Sequence, residues 1–131
     1  MILIKCVNAY AAVQGLMDKE CDYQTAHALV MLRKKLYPHV QFFQAEELKL
    51  VKEYSVKDEK GRVVWSGEGS FSFRSPKAAI AYEKKRRHLG LVEVQEDFGP
   101  VKVKRPDRIT PAQLEALEGF LDFGEVDSDG R

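Results

Sequence analysis

The sequence has only two cysteines, Cys6 and Cys21, in 131 residues. A disulfide-knit scaffold is thereby excluded, and the two side chains read as small buried or half-buried thiols in a reducing compartment. No apolar run approaches the roughly 18 residues that a membrane-spanning helix needs. The opening Met1–Val7 has neither the basic start nor the length of a secretory signal, so the chain is expected in the cytoplasm. No stretch is rich enough in Pro, Gly or Ser to separate two domains, and no internal repeat is present. An excess of charge of one sign is also missing: the net charge is +1, which favours no partner class globally. A hydrophobic fraction of 44% with 31% charged residues fits a single globular core rather than disorder.

Chemistry-bearing motifs are missing too. His27, His39 and His88 have no His or Cys at the spacing that puts two metal ligands on one helix face, and neither cysteine lies in C-x-x-C, so no metal and no cofactor is expected. Asp127-Ser128-Asp129-Gly130 starts like a calcium loop, but the bidentate glutamate that completes one does not follow. Gly67-Glu68-Gly69-Ser70 lacks the lysine of a phosphate loop. Glu20/Asp22, Glu46-Glu47 and Glu93/Glu96/Asp97 read as solvated carboxylates, because nothing near them drives their pKa values apart. No serine sits in a nucleophile elbow. A non-enzymatic protein is expected, with no catalytic residue assigned.

What is there is a succession of helix signals. Ile2–Val7 reads as a short strand, followed by a helix from Ala9 to about Asp18 with Asn8 as its N-cap. Asp22 caps the longest pattern, in which Ala26, Leu29, Val30, Arg33, Leu36 and Tyr37 follow helical spacing and Val40, Phe43, Glu47, Leu50, Val51 and Tyr54 continue it in the same phase across Pro38. That phase predicts one kinked helix of about 30 residues rather than two. Residues 57–74 form a polar, glycine-bearing excursion with β-prone Val63–Trp65 and an alternating Phe71/Phe73 segment. Ser75-Pro76 opens another helix, predicted to stop at a left-handed Gly90. Leu91–Phe98 and Val101–Arg105 alternate as a hairpin around Gly99-Pro100 would, with Ile2–Val7 as a third strand. Thr110-Pro111-Ala112-Gln113 carries a complete capping-box signal for a last helix. The expected fold is therefore α+β and helix-dominated: one domain over residues 1–123, with one long Pro-kinked helix and a small antiparallel sheet, then an acidic C-terminal tail, 124–131.

The charge distribution offers the only candidate site. Lys84, Lys85, Arg86 and Arg87 lie near a helix end, where cations complement the helix dipole, and Lys102, Lys104 and Arg105 follow. These seven residues are candidates for binding nucleic acid or an acidic protein partner, with Tyr82 and Trp65 available to stack on bases. A nucleic-acid binder gathers both basic segments onto one face.

Ile4-Lys5-Cys6-Val7-Asn8, Leu36-Tyr37-Pro38, Val51-Lys52-Glu53-Tyr54, Lys57-Asp58-Glu59-Lys60-Gly61 and the closing Ile109–Glu118 follow one another along the chain. In these pieces and in the order of its elements the sequence resembles a family of small uncharacterised phage and prophage proteins from Gram-positive bacteria. The basic Lys84–His88 run departs from that pattern. The resemblance implies a phage-encoded accessory or assembly protein, or an inhibitor of a host system, acting in the cytoplasm of the bacterial host cell. Such a protein would bind a phage or host protein, or a second copy of itself, through an exposed edge strand or an apolar groove beside the long helix, and no membrane. The alternative is nucleic-acid binding through the basic helix end at 84–88.

Overall fold

A computed structural model describes residues 1–124; the acidic tail beyond Gly124 lies outside the described residues. Leu3, Cys6, Ala9, Val13 and Leu16 recur at three- and four-residue steps, and all are buried. This stripe makes Leu3–Leu16 a single helix, α1. The expected strand at Ile2–Val7 is therefore corrected, and Asn8 lies inside α1 instead of capping a later helix. Period-2 alternation over six residues also fits a helical phase, and burial against the rest of the core selects the helix.

The second helix, α2, runs unbroken for 32 residues from Tyr23 to Tyr54, passing through Pro38. Asp22 starts it by accepting the Thr25 N–H at 3.0 Å, and hydrogen bonding from Thr25 holds the Asp22 carboxyl below the usual carboxylate range. Pro38 forfeits one backbone hydrogen bond, but Leu36, Val40 and Phe43 are buried on both sides of it. Continuous packing on one face carries the helix through.

After α2 the chain forms a two-residue antiparallel hairpin, β1 (Trp65–Ser66) with β2 (Ser70–Phe71). Helix α3 (Pro76–Gly90) then starts where Ser75 Oγ accepts the Ala78 N–H. Gly90 is its last residue and has no positive φ, which corrects the expected left-handed cap. Its smallness serves packing instead, because a Cβ there would stand 3.0 Å from Ile4 Cβ. Helix α3 thereby lies close against α1.

The expected hairpin of 91–98 with 101–105 does not form, nor does a three-stranded sheet with Ile2–Val7. Glu93 makes only a single bridge to Ile2. Strand β3 (Val101–Lys102) pairs instead in parallel with β4 (Leu121–Asp122), across α4 (Pro111–Ala116). Thr110 and Gln113 close the capping box of α4 as the sequence predicts. The fold is α+β and dominated by helix.

Helix α2 acts as a spine for two hydrophobic clusters. Its first two thirds pack with α1, Phe98, Leu117, Phe120 and Leu121 in the main core. Its last turns, Val51 and Tyr54, join Ala78, Tyr82, Phe71 and Phe73 in a smaller cluster. The two-body layout has a consequence for charge, because it sets the two basic segments at different ends of one long helix.

Candidate functional site

The seven candidate cations do not meet on one face. Lys85 and Arg86 turn inward onto α2 and staple α3 to it. Arg86 Nε reaches Glu47 Oε2 at 2.6 Å, and its guanidinium stands over the Phe43 ring at 5.4 Å. The Glu47 hydrogen bond raises the Arg86 pKa above its ordinary value. Lys85 Nζ lies 3.3 Å from Glu53 and 5.2 Å from the centre of the Tyr54 ring. Hydrogen bonding to Tyr54 and to Glu53 raises the lysine pKa. Both pairs are partly solvated and add little stability, but they fix how α3 lies on α2. Lys84 and Arg87 are exposed, with no carboxylate within 4.0 Å among the described residues.

The second basic segment is held at the opposite end of α2. The Lys104 carbonyl accepts the Thr25 hydroxyl at 2.9 Å, in the first turn of that helix. Lys104 and Arg105 share a cleft with Glu20, Asp22 and Asp107. Thr25 and Glu47 are separated by roughly 33 Å of helix at 1.5 Å per residue. Lys102 is separate again: it belongs to β3 and borders a groove beside α2. The ion-pair partners Glu47 and Glu53 leave no mark in the local sequence, since each pair spans more than thirty positions.

Most of the carboxylates considered as acid and base are engaged elsewhere. Asp22 caps α2, Glu46 pairs with Lys49, and Glu96 lies 2.7 Å from His39 Nε2. Asp97 accepts the Gly99 N–H. Among the described residues no group of three His, Cys, Asp or Glu side chains converges to hold a metal. Cys6 is fully buried and burial pushes its thiol pKa up to about 11, so it stays protonated near neutral pH; Cys21 is half-buried and the two are unbridged.

Sequence reasoning missed the solvent side of α2. Tyr23, His27, Met31, Pro38, Phe42, Ala45 and Leu48 follow steps of three, four and seven residues and are all exposed. Met31, Phe42 and Leu48 keep 43%, 49% and 41% of their surface in water. Lys34, Lys35, Lys49 and Lys52 are exposed along the same helix. The signal was present, because apolar residues occur all round α2 rather than on one stripe. Glu46 and Glu53 lie among these lysines and pair with Lys49 and Lys85, so the face has an apolar centre and a charged, lysine-rich rim. None of the described helices is long and apolar enough to cross a membrane. Comparison with family models, with curated proteins and with solved structures finds no match.

Proposed function

We propose that the protein is a non-enzymatic interaction module that binds another protein through the solvent side of α2. The carrying observation is the exposed Met31–Phe42–Leu48 stripe within a row of lysines. Exposed apolar side chains in a row, rimmed by charge, mark binding surfaces more than chance exposure does. The complementary partner has an apolar centre and acidic edges. The resemblance of the sequence pattern to small phage proteins supports a phage-encoded accessory or assembly protein, or an inhibitor of a host system, working in the cytoplasm of the bacterial host. Its partner is then a phage or host protein, or a second copy of the chain.

One observation favours a second reading, nucleic-acid binding. Trp65 is 49% exposed beside Lys52, Lys57 and Arg62, an arrangement in which a base can stack between cations. Lys84 and Arg87 supply further charge. Against it stand the ion pairs of Lys85 and Arg86 and the separation of Lys104 and Arg105 from them.

Affinity capture from a Gram-positive host extract tests the two together. Phe42→Glu/Leu48→Glu is expected to lose a protein partner that Lys84→Glu/Arg87→Glu retains, with nuclease treatment making no difference. Both variants alter exposed side chains and leave the core intact. Capture that is nuclease-sensitive and lost only in Lys84→Glu/Arg87→Glu overturns the protein-binding reading in favour of nucleic acid.

A further inference from the structure

The last turns of α2 and the segment 57–65 enclose a cavity of about 740 Å³. Leu48 and Lys52 reach it from α2, four residues apart and therefore on one side of the helix. Lys57 and Val63 form an antiparallel bridge, and directly opposed residues carry their side chains on the same face. Trp65 follows Val63 by two positions and stays on that face. The register thus agrees with the lining: Lys57, Val63 and Trp65 all border the cavity. Beyond Trp65 the face is closed. Trp65 meets Phe71 edge-on with ring centroids 6.1 Å apart, and Phe71 and Phe73 pack on Tyr82. Trp65 is the half-exposed end of this aromatic row.

The charges around the cavity do not balance. Asp58 is the one carboxylate in its lining, and it is already engaged. It accepts the Lys60 and Arg62 N–H groups at 2.9 Å and lies 3.5 Å from Arg62 Nε. Lys52 and Lys57 are exposed and pair with no carboxylate among the described residues. Two uncompensated cations therefore stand beside an apolar wall of Leu48, Val63 and Trp65.

We infer that this cavity anchors an acidic segment of the protein partner, which inserts one aromatic side chain between Leu48 and Trp65 and sets flanking carboxylates against Lys52 and Lys57. The inference rests on the protein-binding reading above and names the chemistry of the partner's anchor. Leu48 links the two surfaces, because it ends the exposed α2 row and also walls the cavity. Tryptophan at the centre of a pocket is the residue type that most often carries binding energy at a protein interface, and the lysines select for opposite charge. A nucleic-acid strand fits less well. It needs further stacking faces and a longer cationic track, whereas Phe71 and Phe73 are turned onto Tyr82 and only two lining cations are uncompensated.

Trp65 is the single tryptophan of the chain, so its fluorescence reports on this site alone. The test titrates the full chain with the peptide acetyl-Asp-Asp-Phe-Asp-Asp-amide, which has no tryptophan. The expected result is a saturable change in Trp65 emission with a Kd below about 1 mM. Lys52→Glu/Lys57→Glu keeps the fluorophore and alters only exposed side chains, and it should weaken binding at least about tenfold. Replacing the four Asp of the peptide by Lys should abolish binding, and replacing its Phe by Ser should weaken it about tenfold. No saturable change with the acidic peptide overturns the proposal. So does equal binding by the Ser or the Lys peptide, or binding of pentathymidylate at equal or higher affinity. Phe42 lies outside the cavity, so Phe42→Glu should leave this titration unchanged. In the capture experiment, a partner lost by Phe42→Glu and kept by Lys52→Glu/Lys57→Glu rejects the anchor alone. A partner that Phe42→Glu leaves in place rejects the broader reading.

Discussion

Replacing Phe120 with alanine is expected to lower the unfolding free energy by about 3–5 kcal/mol, the range for deleting a fully buried aromatic ring. Phe120 has no exposed surface, and its ring packs on Phe98 with centroids 5.3 Å apart. Its backbone also matters to the joint between α4 and the β3–β4 pair: the N–H donates to the Leu117 carbonyl and the C=O accepts from Val101. The substitution keeps these backbone bonds and empties the space between them. Domains of this size are stable by about 5–15 kcal/mol, so the variant should be near unfolding at room temperature. Urea denaturation measures the effect, and Phe42→Ala is the matched comparison. Phe42 is the same residue type but half-exposed, and its loss should change stability by no more than about 0.5 kcal/mol. Equal effects at the two positions would mean that the core is not where the structure puts it.

Gly99→Ala should cost at least about 3 kcal/mol, combining strain in a backbone region that only glycine occupies freely with a steric clash. Gly99 has φ +129°, and a Cβ there would lie 2.6 Å from the Val101 N and 3.1 Å from the Phe120 carbonyl oxygen. Both of those atoms belong to the hydrogen bond that starts the β3–β4 pairing. They are backbone atoms and cannot swing aside as a side-chain end would. The variant should therefore lose the β3 pairing as well as stability, visible as faster amide exchange at Val101 and Val103. A loss below about 1 kcal/mol with unchanged exchange would contradict the described path of the chain at 97–101.

How much of this was legible in the sequence depends on the range of the interactions concerned. Asp22, Ser75-Pro76 and the Thr110/Gln113 box announce helix starts because caps act within three residues, and all three hold in the structure. The continuity of α2 through Pro38 was readable from a stripe that keeps its phase. Ile2–Val7 was misread because a six-residue run with five apolar positions satisfies a period of two as well as one of 3.6, and only the later Ala9, Val13 and Leu16 decide between them. The parallel β3–β4 pairing and the role of Gly90 against Ile4 depend on residues about twenty or more positions apart, for which local alternation carries no information. The same holds for the candidate site. The basic run was visible, but its division was not: Glu47 and Glu53 capture Arg86 and Lys85, while Lys104 and Arg105 are set among carboxylates at the far end of α2. Which apolar residues of α2 stay in water also became clear only once α1 and α3 had covered the others.

The central claim is that the solvent side of α2 is the binding surface. Its most direct measurement is photo-crosslinking inside cells that produce the protein, with a benzophenone amino acid placed at position 42 in one variant and at position 84 in another. The account predicts a discrete, nuclease-resistant protein adduct from position 42 and none from position 84. A nuclease-sensitive adduct from position 84 with nothing from position 42 would contradict it.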